Sequence, residues 1–205
     1  MSGVVKRQDQ PVSGTARATD SGARDPVMEA FFSAFRHHPS GVAIITADAG
    51  DGPVALTVSS LISVSASPPM VAFSLSASSS TAKAVEQAET VVVHFVRRGD
   101  MKLARLCATS GVDRFGADVR WERLASGEPY YPQVGFWFRA ALRGRLAVPG
   151  ACLVTAELLS ASPFAQDARG DDTLVYANRT WHELRTISEE NKAPLLLWPE
   201  DSATF

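Results

Sequence analysis

From residue 41 onward the chain is a succession of short apolar runs, each closed by glycine, proline or serine. GVAIIT (41–46) and PVALTVSS (53–60) flank ADAGDG, whose Asp-Gly pair and second glycine signal a hairpin loop. MVAFSLSA (70–77) and VVVHFV (91–96) are two further strand-like runs. Between them, SSSTAKAVEQAE offers a serine cap for a short helix over 81–88. In FWFRAALRGRLAV (136–148), Phe138, Ala140, Leu142, Gly144 and Leu146 fall on one face and Arg139, Arg143 and Arg145 on the other. That is the period of a half-buried strand. CLVTAELLSA (152–161) and TLVYANRTWHEL (173–184) complete the series.

A helical period shows upstream, in RDPVMEAFFSAFRHHPSG. Asp25 can cap a helix whose first residue is Pro26, with Val27, Phe31, Ala34 and Phe35 sharing a face and Pro39 and Gly41 ending it. GDMKLARLCATS predicts a further short helix capped by Asp100. Many short strands, short turns and only three small helices predict a mainly β chain, a closed or nearly closed antiparallel barrel rather than a doubly wound sheet. No G-x-G-x-x-G follows a strand, which argues against a Rossmann dinucleotide domain.

Composition bounds this picture. A length of 205 residues, 45% of them hydrophobic, suits one domain with tails. Residues 1–24 are polar and aperiodic and are expected to form a disordered leader, followed by a domain over 25–185. The tail, 186–205, carries Leu195, Leu196, Leu197 and Trp198, which are expected to dock on the domain or on a second subunit. A formal net charge of −2 without a basic block predicts no nucleic-acid or anionic-membrane partner. There is no signal-peptide pattern and no run long enough to span a membrane. Cys107 and Cys152 have neither zinc spacing nor a disulfide framework, so buried thiols in a reducing cytoplasm are expected.

The candidate chemistry lies in hydroxyls. Thr57, Ser59 and Ser60 end one strand, and Ser63 and Ser65 alternate along the next. Ser74, Ser76, Ser78, Ser79, Ser80 and Thr81 then precede or open a helix, with Lys83 two residues further in. Hydroxyls, free N–H groups at a helix start and a lysine make an anion site suited to phosphate; the competing reading is a serine-rich turn with a helix cap. The adjacent His37 and His38 cannot share a helix face, so no metal site is expected there. His94, within an apolar run, reads as a core histidine with one hydrogen bond, whereas His182 lies among polar residues and can face a cleft. No nucleophile elbow or paired carboxylate supports hydrolysis.

The segment AFRHHPSGVAIITADAGDGPVALTVSSLISVSASPPMVAFSLSASSSTAKA resembles the flavin reductase-like family, and the likeness extends through LARLCATSGVDRFG, GEPYYP and LVYANRTWHEL. It implies a six-stranded antiparallel split β-barrel, a homodimer with flavin near the subunit interface, and hydride transfer from NADH or NADPH to non-covalent FMN or FAD. A partner monooxygenase would receive the reduced flavin. By the same resemblance the isoalloxazine lies against the backbone of Val54, Ala55, Leu56 and Thr57. Ser59 and Ser60 bond its polar edge or ribityl chain, the loop Ser74 to Thr81 wraps the phosphate, and Ala108 and Thr109 close the far side. Many members seat the nicotinamide with a Gly-Asp-His motif, and the matching Pro149, Gly150 and Ala151 carry neither acid nor imidazole. That leaves His182, Arg143 and Arg145 as substitutes on the nicotinamide side. It also leaves open a second class, a flavin-binding barrel without efficient nicotinamide oxidation.

Overall fold

The computed structural model describes residues 25–163 and 173–184. The expected leader (1–24) and tail (186–205) lie outside them. Helix α1 (Pro26–His37) forms where its period predicts, and the Asp25 carboxylate accepts the Val27 N–H at 2.9 Å. Its apolar side chains Val27, Met28, Phe31, Phe32 and Phe35 are exposed. The chain through Phe35 forms one compact unit and the chain from Arg36 another.

The second unit holds β1 (Ser40–Gly41), β2 (Ala43–Asp48), β3 (Pro53–Val58), β4 (Ile62–Ala66), β5 (Pro69–Ser76), α2 (Ser80–Gln87) and β6 (Thr90–Phe95). A 3-10 turn leads into α3 (Met101–Ala108), followed by β7 (Glu122–Arg123), β8 (Pro129–Tyr130), β9 (Trp137–Val148), β10 (Ala151–Ala161), β11 (Leu174–Ala177) and β12 (Thr180–Glu183). Seven strands pair antiparallel in the order β3-β2-β6-β9-β10-β5-β4 to form the split barrel. The resemblance implied six strands; this sheet pairs seven. The segment 173–184 is a hairpin, β11 and β12, which joins β1 in a separate sheet. Its turn residues Asn178 and Arg179 have φ of 48° and 59°. A left-handed arginine there costs on the order of 1 kcal/mol relative to glycine.

Strand β2 is apolar on both faces because both are covered. Ala43, Ile45 and Ala47 enter an inner core with Phe73, Val93, Val154 and the α2 residues Ala82 and Val85. Val42 and Ile44 enter an outer core with Leu103, Ala104 and Cys107 of α3 and with Tyr131. This explains the uninterrupted run VAIIT. Asp100 precedes α3 as expected, but its carboxylate accepts the Arg97 N–H at 2.9 Å and makes no side-chain bond to α3. The cap belongs to the preceding turn.

The alternation read along β9 holds only halfway. Ala140 and Leu142 point into the core, but the register slips between Thr155 and Ala156, where Leu142 pairs with Ala156 and Gly144 with Thr155. Arg143 is the extra residue of this bulge, and beyond it the faces exchange. Leu146 and Val148 therefore emerge on the outer face at 60% and 46% exposure. Arg145 swings to α2, where its Nε and Nη2 donate to the carbonyls of Glu86 (2.6 Å) and Ala88 (2.9 Å).

Two buried polar groups fix the layers. Glu128 accepts from the hydroxyls of Thr90 (2.6 Å) and Ser126 and pairs with Arg139 at 2.7 Å. Burial raises its pKa, but these partners outweigh it and hold the carboxyl at about 2. His94 is fully buried; its Nδ1 lies 3.2 Å from the Ile44 carbonyl and its Nε2 accepts the Tyr131 N–H at 3.1 Å. It is the core histidine expected, with two bonds rather than one.

Burial depresses the His94 pKa from 6.5 to about 4. Its contribution to stability is thus complete above pH 6.5 and lost as pH falls toward 4. The thermal midpoint should fall across that window. His94→Gln, which cannot protonate, should flatten that part of the profile while costing roughly 1–3 kcal/mol at neutral pH. An unchanged slope in the variant would count against this role.

Candidate functional site

A cleft of about 480 Å³ opens where β3, β5, the start of α2, the end of α3 and the β9–β10 turn converge. That is within the size range of small-molecule sites. Six serines and two threonines line it, so its walls offer rotatable donors and acceptors in place of fixed charge. Several of these hydroxyls also build the cleft. Ser79 caps α2, accepting the Ala82 N–H at 3.3 Å, and Thr57 donates to the Ala104 carbonyl at 2.7 Å, fastening α3 to β3. Ser60 accepts the Ser74 N–H at 2.9 Å, and Ser76 and Ser78 hydroxyls lie 2.8 Å apart. The hydroxyls of Ser59, Thr81 and Ser110 have no partner among the described residues.

The cation in this cleft is Arg114. Its Nη2 donates to the Thr109 carbonyl at 2.5 Å, and its Nε is the only buried side-chain polar atom without a partner among the described residues. An unpaired buried donor is costly, and an anion at the cleft wall would relieve it. The α2 N-terminus adds its partial positive charge nearby. Hydroxyls, helix N-terminus and guanidinium are what a ribityl phosphate requires, so the residues present fit a flavin.

Of the predicted contacts, Leu56, Thr57, Ser59, Ser60, Ser74, Ser76, Ser79, Thr81 and Ala108 all line this cleft. Val54 and Ala55 do not: Val54 packs on the inner core and Ala55 is buried in the outer one. Ser80 and Lys83 also lie outside it, exposed on α2, because the helix turns Thr81 and Ala82 toward the cleft instead. The sequence points to Lys83 as the cation, whereas the basic side chain that lines this cleft is Arg114. The available signal was DRF, a basic residue just after a helix whose end was already assigned to the site.

A second cleft of about 550 Å³ shares Thr57, Ser59 and Ala108 with the first. It is also lined by Arg105 and Thr109, and by Tyr176, Arg179 and Trp181 of the β11–β12 hairpin. His182, the predicted nicotinamide-side residue, lines neither cleft. Strand alternation places Trp181 on the cleft side, while the His182 Nε2 is 3.2 Å from the Ala177 carbonyl. Arg143 and Arg145 are committed too, the first to Glu157 at 2.7 Å and the second to the end of α2. Cys107 lines the first cleft, but burial pushes its thiol up to about 11, which leaves it a poor nucleophile.

Comparison with known proteins agrees with this geometry. Residues 35–185 match the model of the flavin reductase like domain. An NADH:FMN oxidoreductase of Rhodococcus qingshengii is 38% identical over 107 residues, 52% of this chain and 56% of the relative. The stachydrine N-demethylase reductase subunit of Rhizobium meliloti is 30% identical over 110 residues, 53% of this chain and 47% of the relative. The chain thus spans about half the length of these relatives. The crystal structure of a flavin reductase domain protein from Arthrobacter superposes with a TM-score of 0.73 at 27% identity, covering 80% of this chain and 99% of that one. With most of its length matched and the hydroxyl-lined cleft in place, the chain belongs to the flavin reductase-like domain family.

Proposed function

We propose that the protein is a flavin reductase that transfers hydride from NADH or NADPH to non-covalently bound FMN or FAD. The observation that carries this reading is the first cleft, where Ser79 and Thr81 at the start of α2 and the Arg114 guanidinium line one wall with neutral hydroxyls, a set that suits a phosphate. A flavin bound there supplies the redox chemistry, accepting at N5 the hydride that leaves nicotinamide C4. The protein's part is to bind, orient and exclude water, which is why the cleft needs no nucleophile or metal. The name of the Rhodococcus relative supports the NADH and FMN assignment, and that of the Rhizobium relative, the reductase subunit of a demethylase, supports a role beside a partner enzyme, here a monooxygenase.

The functional unit in this reading is a cytoplasmic homodimer. Leu146, Val148 and Leu153 are exposed on the outer sheet face that also carries Ser74 and Ser76. A second copy covering that strip would close the flavin cleft. Free buried thiols at Cys107 and Cys152 suit a reducing compartment. No helix among the described residues is long and apolar enough to cross a membrane. A second reading keeps the flavin but not nicotinamide turnover; its support is Pro149-Gly150-Ala151, of which Gly150 and Ala151 line the cleft without acid or imidazole.

Following NADH and NADPH absorbance with added FMN, FAD or riboflavin separates the two. Turnover supports the reductase, flavin binding without turnover supports the second reading, and no flavin binding defeats both. Arg114→Gln and Thr81→Ala should each weaken FMN by about 10-fold or more while leaving riboflavin within a few fold, and Lys83→Ala should change neither. Equal losses for FMN and riboflavin would remove the phosphate from this position. Light scattering should give twice the monomer mass, and Leu146→Asp should halve it; a wild-type monomer would contradict the dimer.

A further inference from the structure

Among the described residues, no helix or strand runs between α3 and β7, so the regular elements do not by themselves place Arg114. Two consecutive carbonyls of that segment are instead gripped by aromatic side chains. The Arg114 carbonyl accepts from the Tyr131 hydroxyl at 2.9 Å, and the Phe115 carbonyl accepts from the Trp121 indole N–H at 2.7 Å. The Phe115 ring meets the same two partners, stacked on Tyr131 at 5.5 Å and 14° and edge-on to Trp121 at 5.2 Å and 86°. The remaining hydrogen bonds of residues 112–119 among the described residues close within the segment. Arg114 Nη2 donates to the Thr109 carbonyl, the Phe115 N–H to the Asp113 carboxylate and the Val119 N–H to the Gly116 carbonyl. The bond from Tyr131 is therefore what ties the middle of this segment to the barrel. Tyr131 is itself fixed. It is fully buried, its N–H donates to His94 Nε2 at 3.1 Å, and its carbonyl accepts the Val134 N–H at 3.1 Å.

Both ends of the Arg114 side chain are thus set before any ligand arrives, the backbone by Tyr131 and the guanidinium by Thr109. An arginine held in this way loses little rotamer freedom on taking an anion, whereas one on a free loop has to be ordered first. The same arrangement leaves Nε buried and without a partner among the described residues, a donor kept for something other than the protein. Resting on the flavin reading of the first cleft, we propose that Tyr131, which lines neither cleft, is a positioning residue that sets the preference for FMN over riboflavin by holding Arg114 ready for the flavin phosphate. Trp121 acts in the same sense through the Phe115 carbonyl. The role belongs to the polar tips of these rings. Phenylalanine at position 131 would keep the stack on Phe115 and nearly the same buried volume, and would lose only the donor.

The variants are Tyr131→Phe, Trp121→Phe, Arg114→Gln and the double variant Tyr131→Phe with Arg114→Gln. Dissociation constants for FMN and riboflavin are read on the full chain by quenching of flavin fluorescence. Tyr131→Phe should weaken FMN by about 3- to 10-fold and leave riboflavin within about 2-fold, and Trp121→Phe should do the same to a smaller extent. In the double variant, FMN should bind no more weakly than with Arg114→Gln alone, because the hydroxyl acts only through that arginine. A merely structural tyrosine would weaken both flavins alike, and its effect would multiply with that of Arg114→Gln; either result overturns the proposal. An unchanged ratio of FMN to riboflavin affinity overturns it as well. Should Tyr131→Phe fail to fold, Trp121→Phe decides by the same ratio. Wild-type protein that binds riboflavin as tightly as FMN, or binds neither, would instead remove the phosphate reading of the first cleft, and the proposal with it.

Discussion

The His94 imidazole touches three layers of the protein at once. Standing on β6, it pairs through Nδ1 with the Ile44 carbonyl of β2, and its Nε2 accepts the amide of Tyr131. The tautomer follows: Nδ1 carries the proton and Nε2 the lone pair. Tyr131 in turn donates its hydroxyl to the Arg114 carbonyl at 2.9 Å, and the Cys107 thiol donates to the Tyr131 hydroxyl at 3.6 Å. One uncharged ring thereby fixes the distance between the barrel wall and the end of α3. Arg114, which lines the first cleft, is placed by this chain of bonds. Protonation would put a charge where nothing compensates it, which is why burial holds the ring neutral.

A second constraint acts on the opposite side. The β9 bulge turns Leu146 and Val148 outward and sends Arg145 to the end of α2. Without that slip, α2 would lose two carbonyl partners, and the outer face would lose the apolar strip beside Ser74 and Ser76. The Gly144 position shows how tight the slip is. A Cβ there would meet the Thr155 hydroxyl at 2.7 Å. Anchoring of the C-terminal end of α2 and exposure of the apolar strip beside Ser74 and Ser76 are thus consequences of one irregularity.

These two features also mark the limit of what the sequence displayed. Strand and helix positions were legible because their cues are local: Pro26 after Asp25, the capping Ser79, the apolar runs of β2 and β6. The hydroxyl half of the cleft was legible for the same reason. The bulge was not, since a period-2 pattern remains regular whether or not the partner strand slips. Lys83 stands out in the sequence because it is near Thr81, whereas Arg114 reaches the cleft through its bond with Tyr131, 17 residues away. His182 stands out in the sequence on chemical grounds, yet the hairpin's alternation turns the neighbouring Trp181 indole to the second cleft.

Two clefts share the wall of Thr57, Ser59 and Ala108. The proposed flavin reductase activity requires that a flavin bound beside this wall accept hydride from NADH. Anaerobic rapid mixing of the FMN-loaded protein with NADH tests that most directly, and C4-deuterated NADH should slow the reaction. The account predicts loss of the oxidised-flavin absorbance near 450 nm with a primary isotope effect. Flavin that stays bound and oxidised after mixing would contradict it.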